Sequence, residues 1–168
     1  MIHRDGYAVT CAHVVEGAEE IYVRIGTQEN SIEKAKVINI NKEVDIAVLK
    51  LEGVDHYAAF VGLEEEIEIG DEIIILGYPF GAQMSDDVMQ MSASFTRGYV
   101  SSIQKKNDRK RALLDISAKA GNSGSPVISI KTGSVIGVLS GSVVGGVNNR
   151  EEVNYMIPIA YLNLFLSE

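Results

Sequence analysis

Apolar residues along this chain come in short runs. Some alternate with polar residues at period two and others are continuously apolar, and each run ends at a turn signal. Tyr7–Thr10, Ile21–Ile25, Lys36–Ile40 and Ile46–Leu51 read as strands in the first third. A second set follows at Glu72–Leu76, Tyr99–Ile103, Ala112–Ile116, Pro126–Ile130, Ser134–Ser140 and Val153–Ile157. Turn chemistry separates them, with "EG" at 16–17, "NK" at 41–42, "ND" at 107–108 and "KTG" at 131–133. Many short strands with frequent turns predict an all-β sandwich or barrels. The stretch Glu52–Asp71 is poorer in strand signals and reads as a linker between two β lobes. The one helical pattern is the tail, where Ile159, Leu162, Phe165 and Leu166 recur at helical spacing.

Composition narrows the partners more than the fold. The chain has 168 residues and a net charge of -8, which argues against nucleic acid and anionic membrane, since both reward a basic surface. No stretch is long and apolar enough to cross a bilayer as a helix. Cys11 is the sole cysteine, so no internal disulfide can form and stability comes from packing. A cytoplasmic protein fits this pattern. So does a periplasmic or other extracytoplasmic one whose signal has been removed.

The stretch "AGNSGSPV" at 120–127 raises the chemistry. Gly121 and Gly124 permit a tight turn around Ser123, and the N–H groups of Gly121 and Ser123 can converge as an oxyanion hole. The bland alternative is a Gly/Ser turn before a strand. A serine needs a base to act as nucleophile, and the base needs an orienting group. Of three histidines, His13 follows the strand-like "YAVTCA", whereas His3 lies in a polar stretch near the start and His56 lies in the linker. Taken alone, His13 reads as a packed or surface histidine rather than a catalytic one. Asp45 opens the apolar run "DIAVLKL", and a carboxylate beside a buried strand is costly unless hydrogen-bonded. Its bland reading is a turn residue. The order His, Asp, Ser, each at a strand edge, is the chain order of the chymotrypsin-type triad. An α/β-hydrolase esterase requires G-x-S-x-G and the order Ser, Asp, His, and neither is present. Cys11 and His13 offer two metal-ligand types, but no third ligand accompanies them in sequence, so neither a metal nor any other cofactor is expected.

Together the segments "DGYAVTCAHVVEGAEEIYV" (5–23), "DIAVLKL" (45–51), "IGDEIIILGYPFG" (69–81), "TRGYVSSI" (96–103), "LDISAKAGNSGSPV" (114–127), "GSVIGVLSG" (133–141) and "NYMIPI" (154–159) resemble the protease domain of HtrA/Deg-type trypsin-like serine proteases. The resemblance implies two perpendicular Greek-key β-barrels. Residues 1–53 form a first lobe truncated at its start, 54–69 link the lobes, and 70–168 form a second barrel with a terminal helix. It implies His13 as general base, Asp45 as its orienting carboxylate and Ser123 as nucleophile. Gly121, Asn122 and Ser123 then form the oxyanion turn. Each member of the triad should lie within about 3 Å of the next. Substrate contacts fall on Ser117, Ala118, Lys119 and Ala120, and on Leu139, Ser140, Gly141 and Ser142. Ser117 replaces the aspartate of enzymes that cut after Lys or Arg, which predicts cleavage after small or medium apolar residues. Asn122 stands where zymogen-activated relatives keep an aspartate, so trimming of an N-terminus is not the expected switch.

The expected activity is serine endopeptidase hydrolysis of polypeptide substrates through an acyl-enzyme, in protein quality control or regulatory proteolysis. The alternative is a catalytically inactive peptide-binding module on the same fold. The family's first strand, ahead of Asp5, is largely missing. Its loss leaves an open edge in the first lobe through which a homo-oligomer can form. No sequence matching the family's PDZ domain follows the tail. The basic stretch "QKKNDRKR" (104–111) reads either as a solvated hairpin or as a regulatory loop, and residues 82–95 make a long loop near the cleft.

Overall fold

The structure, a computed structural model, describes residues 1–25, 31–53, 57–63, 66–79, 93–106, 109–119, 121–145 and 151–165. Ten strands form two sheets. The first contains β1 (Tyr7–Thr10), β2 (Ile21–Arg24), β3 (Ile32–Asn41) and β4 (Ile46–Leu51) in the order β1-β4-β3-β2. The second is a closed barrel of β5 (Glu72–Gly77), β6 (Ser94–Lys106), β7 (Arg109–Asp115), β8 (Pro126–Ser129), β9 (Val135–Gly145) and β10 (Glu151–Pro158), in the order β10-β7-β6-β5-β8-β9. Every strand expected from the apolar pattern is present. All the pairings within both sheets are antiparallel, so one face of each strand can be buried and the other solvated.

Among the described residues the first sheet is open. Within that sheet β1 pairs with β4 and β2 with β3, and the outer side of β1 is touched by the N-terminal segment, where Ile2 N–H donates to Tyr7 O at 2.8 Å. A hollow of about 630 Å³ touches Ala8–Thr10 of β1 and Ile21–Arg24 of β2.

Two local elements differ from the sequence expectation. Ala12–Val15 form a single α-helical turn, α1, which directly follows Cys11 and ends before Gly17 at φ 74°. One turn is too short to show helical periodicity, so its four residues could not be told from a strand end. The tail is helical over Ile159–Phe165, but as a 3₁₀ helix, with Ile159 and Leu162 buried. Among the described residues no helix is long and apolar enough to cross a membrane.

Three apolar clusters hold the molecule together. Ala8, Val15, Ala35, Ala47, Leu49 and Leu51 fill the first sheet. Ile73, Ile75, Val100, Leu114, Val127, Ile136, Leu139 and Met156 fill the barrel. The third cluster joins the two: Cys11, Val44, Ile46 and Val48 from the first sheet pack with Val135, Val138, Ile157, Ile159 and Leu162 from the barrel side. This shared cluster lies directly behind the loop that carries Asp45, so burial of apolar area brings the candidate site residues into range.

Ile75 is 1% exposed on β5, which pairs with both β6 and β8. Ile75→Ala should lower unfolding stability by about 2–5 kcal/mol, measured by urea titration. A loss below about 1 kcal/mol would mean that this side chain does not pack the barrel.

Candidate active site

Asp45 closes the link between β3 and β4. The Asn41 side-chain oxygen accepts from the N–H groups of Glu43 (3.0 Å) and Val44 (3.2 Å), an Asx turn that reverses the chain. Asp45 itself sits at φ 60°, a left-handed conformation that aspartate tolerates better than most residues. Its backbone and side chain both grip α1. The Asp45 carbonyl accepts from Ala12 N–H at 3.2 Å. One carboxylate oxygen accepts from His13 N–H at 2.9 Å. The His13 ring presents Nδ1 to both oxygens, at 2.8 and 3.1 Å. A carboxylate only accepts, so in the neutral ring the proton sits on Nδ1 and Nε2 keeps its lone pair.

The barrel supplies a third donor to the same carboxylate. β9 and β10 change register between Gly141, opposite Tyr155, and Leu139, opposite Met156. Ser140 is the extra residue of this bulge, and a bulge frees a residue from the ladder and re-aims it. Its hydroxyl donates to Asp45 Oδ2 at 2.5 Å and also bonds the Tyr155 hydroxyl at 3.2 Å. Ser140, expected from the sequence as a substrate contact, thus also holds the Asp45 carboxylate. Nothing in "LSGS" distinguishes it from any strand residue.

Ser123 sits in the expected turn. Gly121 and Gly124 have φ 93° and 89°. A Cβ on Gly124 would come within 2.5 Å of Thr10 Oγ1, so the turn can approach β1 only because that residue is glycine. The turn is tied to β9 by Gly124 N–H to Leu139 O (2.8 Å) and Leu139 N–H to Ser125 O (2.9 Å). Asn122 N–H is taken by Lys119 O at 3.1 Å, and no bond among the described residues takes up the N–H of Gly121 or Ser123. The Asn122 side chain is buried, and its Oδ1 has no partner among the described residues.

Two of the three expected side chains are in direct contact. His13 and Asp45 are hydrogen-bonded. Ser123 is not bonded to His13, and its hydroxyl instead donates to the Ser140 carbonyl at 2.8 Å. Ser140 thus touches both ends, with its carbonyl on Ser123 and its hydroxyl on Asp45. Of the other named residues, Ser117 and Lys119 are exposed and Ala118 is buried, while Ala120 lies outside the described residues. Leu139 is 2% exposed, with its side chain in the barrel cluster. Gly141 is half-buried, and the Ser142 side chain lies outside what is described. Beyond Leu139, the β9 edge away from β10 carries no strand among the described residues. The basic stretch forms the β6–β7 hairpin, with its tip at 107–108 outside the described residues. From it, Arg109 donates to the Glu43 carbonyl (2.8 Å) and pairs with the Glu43 carboxylate, two residues before Asp45. Residues 80–92, most of the long loop, also lie outside the described residues.

Cys11 is fully buried behind His13, and its thiol donates to Leu139 O at 3.2 Å. Burial pushes its pKa up to about 12, and the neighbouring Asp45 carboxylate adds to the shift. Both effects disfavour the thiolate, which is the reactive form. Iodoacetamide at about pH 8 should therefore leave Cys11 unmodified in the folded protein and alkylate it once urea unfolds the chain. Mass spectrometry reads both, and rapid labelling of the folded protein would contradict the buried placement.

Residues 1–138 match the family model described as the trypsin-like peptidase domain. The chain belongs to that family. It is 34% identical over 144 residues to a protein of Pseudomonas savastanoi pv. phaseolicola described as "probable periplasmic serine endoprotease DegP-like", covering 83% of this chain and 28% of the relative. A protein of the same description from Hahella chejuensis is 31% identical over 140 residues, with the same coverage of 83% and 28%. The chain therefore spans little more than a quarter of the length of these relatives. Among solved structures, the serine endoprotease from Yersinia pestis aligns with TM-score 0.78 and 23% identity, over 99% of this chain and 54% of that one. The HtrA-type protease AlgW with decapeptide aligns with TM-score 0.78 and 22% identity, over 99% and 49%. These two likenesses show the fold.

Proposed function

We propose that this domain is a serine endopeptidase acting on polypeptides outside the cytoplasm, with His13 as general base, Asp45 as its orienting anion and Ser123 as nucleophile. The single observation that supports this reading most is the Asp45 carboxylate. It fixes the Nδ1–H tautomer of His13 and is linked through Ser140 to Ser123. The family match and the relatives, described as probable periplasmic serine endoproteases, support the reaction class and the compartment.

In the reaction, the Ser123 hydroxyl leaves the Ser140 carbonyl and turns toward His13 Nε2. Such contacts often tighten only with substrate bound. Nε2 takes the proton as Oγ attacks the peptide carbonyl, and the N–H groups of Gly121 and Ser123 receive the oxyanion. Protonated His13 then gives its proton to the leaving amine, and water hydrolyses the acyl-enzyme. The vacated Ser140 carbonyl and the open β9 edge at Gly141 suit a substrate added as a strand. Ser117 offers no anion to a basic side chain, which favours small or medium apolar residues before the cut. The outer edges of β1 and β2 are where self-association would occur.

A fluorophosphonate probe should label Ser123, and Ser123→Ala should abolish the label. Asp45→Asn should keep the fold while lowering turnover by on the order of 10³–10⁴, because the amide no longer holds the ring in the productive tautomer. A folded sample that binds unfolded polypeptide, never labels and never cleaves would instead be the inactive peptide-binding module.

A further inference from the structure

Cys11 has no part in the hydrolytic scheme, yet its sulfur is not placed as a purely apolar side chain would be. The thiol of Cys11, one ring nitrogen of His13 and a carboxylate oxygen of Asp45 all lie within 4.8 Å of one another. The sequence offered only the first two of these as ligand types. The β3–β4 turn brings the third. Two of the groups are anionic when they act as ligands, and side by side they repel. A divalent cation between them reverses that interaction, because its own charge dominates the local field.

We propose that Cys11, His13 and Asp45 form a binding site for a thiophilic divalent cation of the zinc type, and that occupancy silences the hydrolytic site. The second half rests on the triad reading above; the first does not. A sulfur, nitrogen and oxygen donor set suits zinc, whereas magnesium and calcium take oxygen shells. Zinc–ligand bonds of about 2.0–2.3 Å place tetrahedral donors roughly 3.3–3.7 Å apart, so the Cys11 sulfur, within 4.8 Å of the other two, must draw in by up to about an ångström, while His13 Nδ1 and the Asp45 oxygens, 2.8 and 3.1 Å apart, must widen slightly. Cys11 and Asp45 are held by burial and hydrogen bonds. His13, with its side chain 48% exposed, has the room to adjust. A fourth position toward its exposed side is left for water.

The inhibitory step follows from proton placement. The cation binds the Cys11 sulfur as thiolate, and the thiol proton passes to solvent. It binds the His13 edge that faces Asp45, so the Nδ1 proton is exchanged through water onto Nε2. The ring stays neutral, one proton is released overall, and Nε2 no longer has a lone pair for the Ser123 proton.

Titration of the whole protein with Co²⁺, a spectroscopic substitute for zinc, should give a near-ultraviolet thiolate-to-metal absorption that saturates at one equivalent. Zn²⁺ should displace it, and Mg²⁺ and Ca²⁺ should not. Cys11→Ala should remove the band, and Cys11→Ser serves the same purpose if the alanine variant does not fold. Zn²⁺ should slow fluorophosphonate labelling of Ser123 at least about tenfold in the native protein, with Cys11→Ala resistant. A missing band, or a band and inhibition that persist without Cys11, would overturn the proposal. Labelling without the band sinks the metal site alone. A Cys11-dependent band on a protein that never labels without metal sinks the hydrolytic reading alone.

Discussion

One carboxylate organises this molecule. Asp45 is mostly shielded from water, with its side chain 17% exposed, and an anion so placed must be satisfied by hydrogen bonds. It takes two donors from the first sheet's side, the N–H and Nδ1–H of His13, and one from the barrel, the Ser140 hydroxyl. Removing any of these leaves a shielded charge less compensated, so the relative placement of α1, the β3–β4 turn and β9 is coupled through a single group. The Arg109–Glu43 pair adds a second tie from the barrel to the same turn. It lies on the surface, where such pairs contribute little to stability.

The polar contacts direct; the apolar ones supply the driving force. Burial of Ile46, Val138, Ile157 and Ile159 in the cluster shared by the two sheets is non-directional. It holds the sheets together without specifying where a hydroxyl points. The hydrogen bonds of Asp45 and Ser140 set that alignment, and they work because the packing excludes water around them.

Irregular backbone collects at the same place. Asp45 has a positive φ, Gly121 and Gly124 do too, Ser140 is a bulge, and Asn122 Oδ1 is buried without a partner among the described residues. The positive φ of Asp45 and the unpartnered Asn122 oxygen cost some stability, whereas glycine adopts positive φ without steric penalty. Among the described residues, no bond takes up the N–H groups of Gly121 and Ser123 and no strand pairs β9 beyond Leu139 on the side away from β10.

The ten strands were legible because alternation and turn chemistry are local properties: Ile46–Leu51 is apolar whatever it packs against. His13, Asp45 and Ser123 were legible as candidates by residue type, order and position at strand edges. The one-turn helix under His13 was not, since four residues carry no period. Nor was the Ser140 hydroxyl on Asp45, 95 residues away, or the approach of Cys11 to Asp45, because such contacts depend on the closure of the barrel and its docking on the first sheet. The rotamer of Ser123, turned to the Ser140 carbonyl rather than to His13, is likewise set by neighbours distant in sequence. The chain by itself determined which residues carry chemistry and which segments form strands, through short-range pattern. Only the tertiary structure decided which of those groups touch, because that depends on how two sheets bury a common apolar cluster.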